Sequence, residues 1–379
     1  MIDHPVIYSG FDTLELSYRV APPRSFLERL GDAQTLAKAD NRAVPVNFCG
    51  SELFVEPSGG QGGYAYRAHT GPLGLIWKFR EATATSPWSV HVKFRAHGLA
   101  IKGPLKMKSE ADAFLRVLGC RFDVSDVRVA RADFAVDILL DNYRLNTDYI
   151  VFHARANVSE HIERTRTGEF FNYVRIGRMP GKQLCIYNKS EAILQSRDSL
   201  WRDIFEQSAL SRLGLIIDDF RTLEIWRFEL RAGKKFLDTK IRPRTWESFL
   251  TEARSCFLIL SRSFKLKTPT CDLNRTRWPL DPIWRSVIAE IECLKLDHQP
   301  ARVSDEIWEK LRQEYQDGLD KQLVGLLLSS AACEGVTTET FSSFVSAKVK
   351  SLTEDYCKSN AFAERFIKRR AEYVAQFKA

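Results

Sequence analysis

Three short segments, far apart along the chain, carry the residues best suited to covalent chemistry. Ile186-Tyr187-Asn188-Lys189-Ser190-Glu191 lies near the middle of the sequence. Upstream is Arg131-Ala132-Asp133-Phe134-Ala135-Val136-Asp137, and downstream is Arg227-Phe228-Glu229-Leu230-Arg231. A phenol is a weak nucleophile because its pKa is about 10. A nearby ammonium or metal ion favours the phenolate, which gives Lys189 a use beside Tyr187. Glu191 can accept a proton or add a ligand. Asp133, Asp137 and Glu229 supply oxygen donors of the kind that hold Mg2+ or Mn2+. Arg131, Arg227 and Arg231 supply forks for phosphate, and Arg175, Arg178 and Lys182 can reach a nucleic-acid backbone or groove. The chemistry open to such a set is attack of tyrosine on a phosphodiester, with the broken end kept on the protein.

These residues need strands to present them. Side chains alternate faces along a strand. Residues 127–139 are expected to form one, with Arg131, Asp133, Ala135 and Asp137 on one face and Ala132, Phe134, Val136 and Ile138 packed inward. Aspartate is disfavoured in strands, so two in one strand need a reason. Asp133 and Asp137 lie about 13 Å apart along a strand, so one is expected to be a direct ligand and the other an orienting group. In residues 182–189, Gln183, Cys185, Tyr187 and Lys189 share a face. In residues 222–231, Arg227, Glu229 and Arg231 face out while Trp226, Phe228 and Leu230 face the core. The bland alternative is a solvated outer face stitched by Arg–Asp and Arg–Glu pairs, with Tyr187 packing its ring.

The surrounding pattern predicts strands at 13–20, 51–57, 64–68, 88–96 and 170–176, and helices at 24–38, 109–118 (Ser109 as N-cap), 146–155 and 190–213. A hairpin is expected around Met179-Pro180-Gly181. The glycine-rich stretch 58–63 lacks the Lys-Ser/Thr of a phosphate loop and reads as a turn. This order predicts an α+β fold whose central antiparallel or mixed sheet is built from two helix-plus-sheet halves. An all-helical C-terminal region follows, with helices at 245–261, 282–294, 304–329, 337–353 and 360–377. The division expected is 1–240 for the chemistry and 241–379 for a helical domain that binds DNA or dimerises. The last helix, with Arg365, Lys368, Arg369 and Arg370, reads either as a packed helix with a solvated basic side or as a DNA-contacting face.

The chain has 379 residues and a net charge of +8, which favours an anionic partner, nucleic acid ahead of a membrane surface. No signal-like N-terminus and no membrane-length apolar run is present. Eight scattered cysteines without a CxxC pair read as reduced thiols in a cytoplasmic protein. The seven histidines show no HExxH spacing, and Cys185 has no evident histidine partner.

The three segments, in this order, resemble the Rep-trans family, the rolling-circle replication initiation factors of plasmids, filamentous phages and mobile elements. The match is Arg131, Asp133, Ala135 and Asp137 to an Arg-x-Asp-x-Ala-x-Asp strand; Ile186, Tyr187, Asn188, Lys189 and Glu191 to the tyrosine segment; and Arg227, Phe228, Glu229 and Leu230 to the closing strand. Ile176-Gly177-Arg178 resembles the family's hairpin entry, and the likeness spans about residues 10–237. It implies an enzyme that nicks one origin strand through Tyr187, leaves a 5′-phosphotyrosine and a free 3′-OH primer, and recloses the strand. It further implies a carboxylate-bound Mg2+ or Mn2+ at Asp133, Asp137 and Glu229. The partners implied are origin DNA (single-stranded or supercoiled duplex), host helicase and DNA polymerase, and a second subunit of a homodimer, with no membrane. No His-hydrophobic-His motif is present, which argues against histidine-dependent initiators and relaxases. The rivals are a non-enzymatic origin-binding protein and a conjugative relaxase of a mobile element using the same chemistry. A tyrosine recombinase is disfavoured, because its tyrosine needs a helical domain and clustered Arg and His groups.

Overall fold

Thr13-Leu14-Glu15-Leu16-Ser17-Tyr18 alternates polar and apolar side chains, and the chain there is a strand, β1 (Val6–Tyr18). This computed structural model describes residues 4–48, 50–152, 158–165, 168–296 and 305–357, with 362, 363, 366, 367 and 370. After β1 come α1 (Arg24–Asp40), β2 (Val44–Phe48), β3 (Ser51–Val55), β4 (Tyr66–His69), β5 (Leu75–Phe79), β6 (Val90–Phe94) and α2 (Ala96–Val117). A second series follows: β7 (Val127–Leu139), β8 (Ile150–Phe152), β9 (Val158–Thr165), β10 (Gly168–Gly177), β11 (Lys182–Asn188), α3 (Lys189–Ser196), α4 (Ser199–Leu213) and β12 (Ile225–Gly233). Then come α5 (Lys234–Lys240), α6 (Trp246–Ser261), β13 (Phe264–Leu266), α7 (Pro282–Glu292), α8 (Asp305–Cys333) and α9 (Phe341–Cys357).

Eleven of the described strands make one antiparallel sheet, in the order β2-β3-β4-β5-β6-β1-β7-β12-β11-β10-β9. The order has an internal logic. Each half starts at the sheet centre, with β1 or β7, and its last strand, β6 or β12, returns beside the first. The others step outward to an edge, and β1 and β7 join the halves along their length. This is the expected α+β arrangement of two helix-plus-sheet halves in one sheet. The apolar face is covered by Phe26 and Leu30 of α1, by Met107 and Phe114 of α2, and by α6, whose Phe249 and Phe257 pack on Phe11 and Phe134. Each such side chain, buried fully, contributes about 1.5–3 kcal/mol. Helices α6 and α7 therefore lie beyond residue 240 yet pack with the sheet. The chain divides into units Met1–Arg302 and Val303–Ala379, and the second holds α8 and α9.

The β6 ladder on β1 ends at Leu14, while the β7 ladder runs on to Val6. One edge of β1 is thus left without a strand over residues 6–13, and α4 packs there. Ser208 Oγ donates to Ile7 O at 2.5 Å, and the Trp201 ring meets the Tyr8 ring edge-on at 5.3 Å. Three expectations need correction. Ser109 is no N-cap, because α2 breaks into two helical pieces at Gly103 (φ 76, ψ 162) and Pro104, and the second piece is already under way at Ser109. Residues 146–152 form a single 3-10 turn (Thr147–Tyr149) and then β8, because Ile150–Phe152 pairs with β13 and that pairing outweighs local helix propensity. The helix expected over 190–213 is two helices, since Arg197 turns left-handed (φ 54) and Asp198 caps α4 by accepting from Trp201 N at 3.2 Å. Strands β2, β5, β9 and β13 were not expected. The helix expected at 360–377, with its basic residues, lies almost wholly outside the described residues.

Candidate active site

The ladders decide which side chains share a face. Across β11, β12, β7 and β1 one row reads Tyr187, Arg227, Asp137, Tyr8. The next reads Cys185, Glu229, Ala135, Gly10, and the third Gln183, Arg231, Asp133, Thr13. Tyr187, Glu229 and Asp133 therefore stand on one face of three adjacent strands, as alternation requires.

The acids do not form one cluster of three. Asp133 and Glu229, 0% and 1% exposed, make a diagonal pair. Arg131 Nε donates to both Asp133 oxygens at 3.0 and 2.8 Å. Arg231 Nε and Nη2 fork Glu229 at 2.8 and 2.7 Å, and Nε lies 4.0 Å from Asp133. Burial, and then the charge of Glu229, raise Asp133 to about 8 against the pull of both arginines. Asp137 is elsewhere: Arg227 Nε and Nη2 hold its two oxygens at 2.7 Å each. Arg227 is fully buried, and its Nη1 donates to Asp12 Oδ1 at 2.5 Å. Its guanidinium lies 4.5 Å from the centre of the Trp201 ring. Burial works against the Arg227 charge, but Asp137, Tyr187 and Asp12 more than offset it.

Asp12 escaped the sequence reading. On β1 the register slips between Phe11 and Thr13, which makes Asp12 the extra residue of a bulge. Bulges re-aim side chains, and this one turns an aspartate toward Arg227. An aspartate inside an apolar strand pattern, two residues after Gly10, was the available signal. Trp201 and Tyr173 were also missed, for both come from elements whose neighbours only the fold decides.

Tyr187 is half-buried between the two ion clusters, and its ring lies 6.2 Å from that of Tyr173. Burial raises its pKa, and Arg227 pulls it back down while Asp12, Glu229 and Asp137 push it further up. The phenol is therefore protonated at neutral pH. Lys189 was expected to extend the tyrosine strand, but it opens α3. The side chain of Asn188 ends the strand by accepting from Glu191 N at 3.0 Å, and Ser190 Oγ accepts from Ile225 N at 3.1 Å, docking the helix start on β12. Lys189 Nζ sits 4.6 Å over the Trp201 ring. Burial, then Arg227, lower its pKa to about 8 against Asp12, Asp137 and Asp198. Lys189 and Tyr187 thus feel the same three charged neighbours, Arg227, Asp12 and Asp137.

Glu191 lies in the first turn of α3 and accepts from Gln195 Nε2 at 2.9 Å, along its own helix. Arg175 is exposed and pairs across to Cys185, so it extends the same face, and Arg178 is exposed in the hairpin turn. Lys182 pairs with Ala232, on the opposite face, and donates to Ser263 Oγ at 2.7 Å. The site does not gather it. Cys185 is buried, and burial pushes its thiol up to about 12, so it is no nucleophile. Arg131 and Arg231 keep 26% and 20% of their side chains exposed and can meet a phosphate, whereas Arg227 is wholly committed to Asp137 and Asp12.

Among the described residues no group of three Asp, Glu, His or Cys side chains is set to hold a metal. The Asp133–Glu229 pair still offers a hard divalent cation two carboxylates on one face. The arginines that grip them remain part-exposed, and Mg2+ often takes only one or two carboxylates, with phosphate and water completing its shell.

No family model matches the chain, and no curated protein matches it. Among solved structures the chain is similar to one described as a rolling circle replication initiator protein from Geobacillus stearothermophilus. The identity is 15% and the TM-score 0.41, over 77% of this chain and 98% of that one. No helix among the described residues is long and apolar enough to cross a membrane.

Proposed function

We propose that this chain is a replication initiator of the rolling-circle kind, which nicks and recloses one DNA strand through Tyr187. The observation that carries this reading is the shared face: a half-buried tyrosine, a buried carboxylate pair and two part-exposed arginines stand on adjacent strands, in the motif order of the family it resembles. Tyr187 Oη attacks the scissile phosphorus, the bond from phosphorus to the 3′-oxygen breaks, and the 5′-phosphate stays on the phenol. The leaving 3′-oxygen takes up a proton and becomes the primer for host polymerase. Lys189, part-neutral near pH 8, takes the phenol proton. Arg131 and Arg231 steady the phosphate oxygens. Asp133 and Glu229 would hold Mg2+ or Mn2+, which when bound supplies charge neutralisation at the phosphate. Closing is the reverse: a 3′-hydroxyl attacks the phosphotyrosine and releases the phenol. Arg227 and Asp137 orient the row on which Tyr187 stands and touch no substrate.

The test uses a negatively supercoiled plasmid carrying this chain's coding sequence and its flanking DNA. The wild-type chain should convert it to open circles in Mg2+ or Mn2+, and excess EDTA should stop the conversion. Tyr187→Phe should lower nicking by at least about 10³-fold with binding retained. Full nicking by the phenylalanine variant ends this reading, and undiminished nicking in EDTA removes the metal from it.

A further inference from the structure

The polar face that carries the site continues into the first half of the sheet, where nothing in the nicking reaction uses it. One row across β4, β5, β6, β1 and β7 reads Arg67, Lys78, His91, Ser17, Arg128, and the adjacent row reads His69, Ile76, Lys93, Glu15, Arg131. Five strands at about 4.8 Å spacing make each row about 19 Å long. The second row ends on Arg131, which grips Asp133.

The cations here outnumber their partners. Arg67 pairs with Glu56 at 3.0 Å, and Glu15 is taken by His91 at 3.2 Å. Among the described residues, Lys78, Lys93 and Arg95 make no ion pair, and Arg95 Nε is buried with no hydrogen-bond partner. The crowding is electrostatically felt. Burial lowers the ammonium of Lys78, Glu15 pulls it back up and Arg67 and Lys93 lower it again, while burial then Arg95 and Arg67 bring His69 down to about 4. Lys93 also reaches the site, since its charge helps keep Asp12 ionised. Two aromatic platforms flank the strip: Trp88, with Arg128 at 4.5 Å and Arg19 at 5.9 Å from its ring, and Tyr64, with Arg80 at 4.7 Å.

We propose that the polar face of β4, β5, β6 and β1 is a track for single-stranded nucleic acid, with phosphates on Lys78, Lys93 and Arg95, bases against Trp88 and Tyr64, and the strand delivered to Arg131 beside Asp133. A sheet face with unpaired cations and part-exposed aromatics suits a single strand, because phosphates need charge and unstacked bases need flat apolar partners. A rigid duplex offers its bases to neither ring. The direction of delivery rests on the nicking reading; the binding surface does not.

The probe is a fluorescein-labelled dT20 oligonucleotide, titrated with the full chain by anisotropy at several salt concentrations. Lys78→Ala/Lys93→Ala should bind at least about fivefold more weakly, and its salt slope should be shallower by about 1.4, the value for two lost phosphate contacts on a single strand. Lys78→Arg/Lys93→Arg should bind like wild type, and thermal melts of both variants check folding. Bromodeoxyuridine in the oligonucleotide should photocrosslink the unmutated chain at Trp88 or Tyr64. Wild-type affinity and slope in the alanine variant, crosslinks confined to other segments, or a 20-base-pair duplex that outcompetes dT20 would each overturn the track. If the lysine variants weaken dT20 binding but the wild-type chain never nicks DNA, the track stands and the nicking reading falls. If nicking proceeds and the lysines do not matter, the reverse holds.

Discussion

Asp133 and Asp137 look interchangeable on paper, two aspartates on one face of one strand, yet their surroundings give them opposite duties. Asp137 is the counter-charge of a fully buried arginine, and both its oxygens are taken. Asp133 sits beside Glu229 and is gripped by the part-exposed Arg131, and burial, then the charge of Glu229, raise its carboxyl all the same. Arg227→Met should therefore destabilise the chain by about 3–5 kcal/mol, because it strands Asp137 in the core. Asp133→Asn should leave the melting temperature unchanged or higher while nicking is lost, since a neutral amide relieves the repulsion that the site retains for its chemistry. Thermal melts beside the plasmid assay check both; a large loss of stability in Asp133→Asn would contradict this division. At this scale the face-sharing of Tyr187, Glu229 and Asp133 was legible, because alternation along a strand is a fixed geometric rule. Asp12 and Lys189 were not, because a bulge and a helix start break alternation, and neither is marked by a two-residue period.

Elements place these residues by pairing, and pairing is where the sequence was least informative. Ser190, Asn188 and Ile225 join α3 to β12 and so hold Lys189 near Arg227, a junction that no periodicity announces. The helical piece before Gly103 was not read from the sequence either; Gly103 (φ 76, ψ 162) breaks α2 in two, and Leu99 and Met107, on either side of the break, both pack in the core. The β1–β6 pairing offers a test of its own. Glu15 is half-buried opposite Lys93, and burial works to raise its carboxyl; the hydrogen bond and charge of His91, with Arg131 and Lys93, win and bring it down from 4.5 to about 2. The unfolded chain then binds more protons than the folded one between these values. This contribution is complete above pH 4.5 and is lost as pH falls toward 2. Glu15→Gln should cost on the order of 2 kcal/mol at pH 6, with the gap to wild type closing through that window. Equal pH profiles in denaturant titrations would show that the pair contributes nothing.

Across the whole molecule, the two halves are variations on one plan, each with its first and last strands adjacent at the centre. Their central strands and main helices could be read from the sequence, though not β2, β5, β8 or β9; their mutual arrangement could not, because without visible repetition nothing local encodes which strands meet. The proposed labour divides along the same line. The second half supplies Tyr187, Asp133 and Glu229, while the first supplies Asp12 through its bulge and a cationic strip that leads to Arg131. The unit Val303–Ala379 carries α8 and α9 and none of the residues of the site. The most direct measurement is mass spectrometry of the full-length chain after incubation with the supercoiled plasmid and Mn2+, followed by nuclease trimming and peptide mapping. A nucleotide adduct on the peptide containing Tyr187, absent from Tyr187→Phe, is the predicted result. Nicked plasmid with no adduct, or an adduct on any other residue, would contradict it.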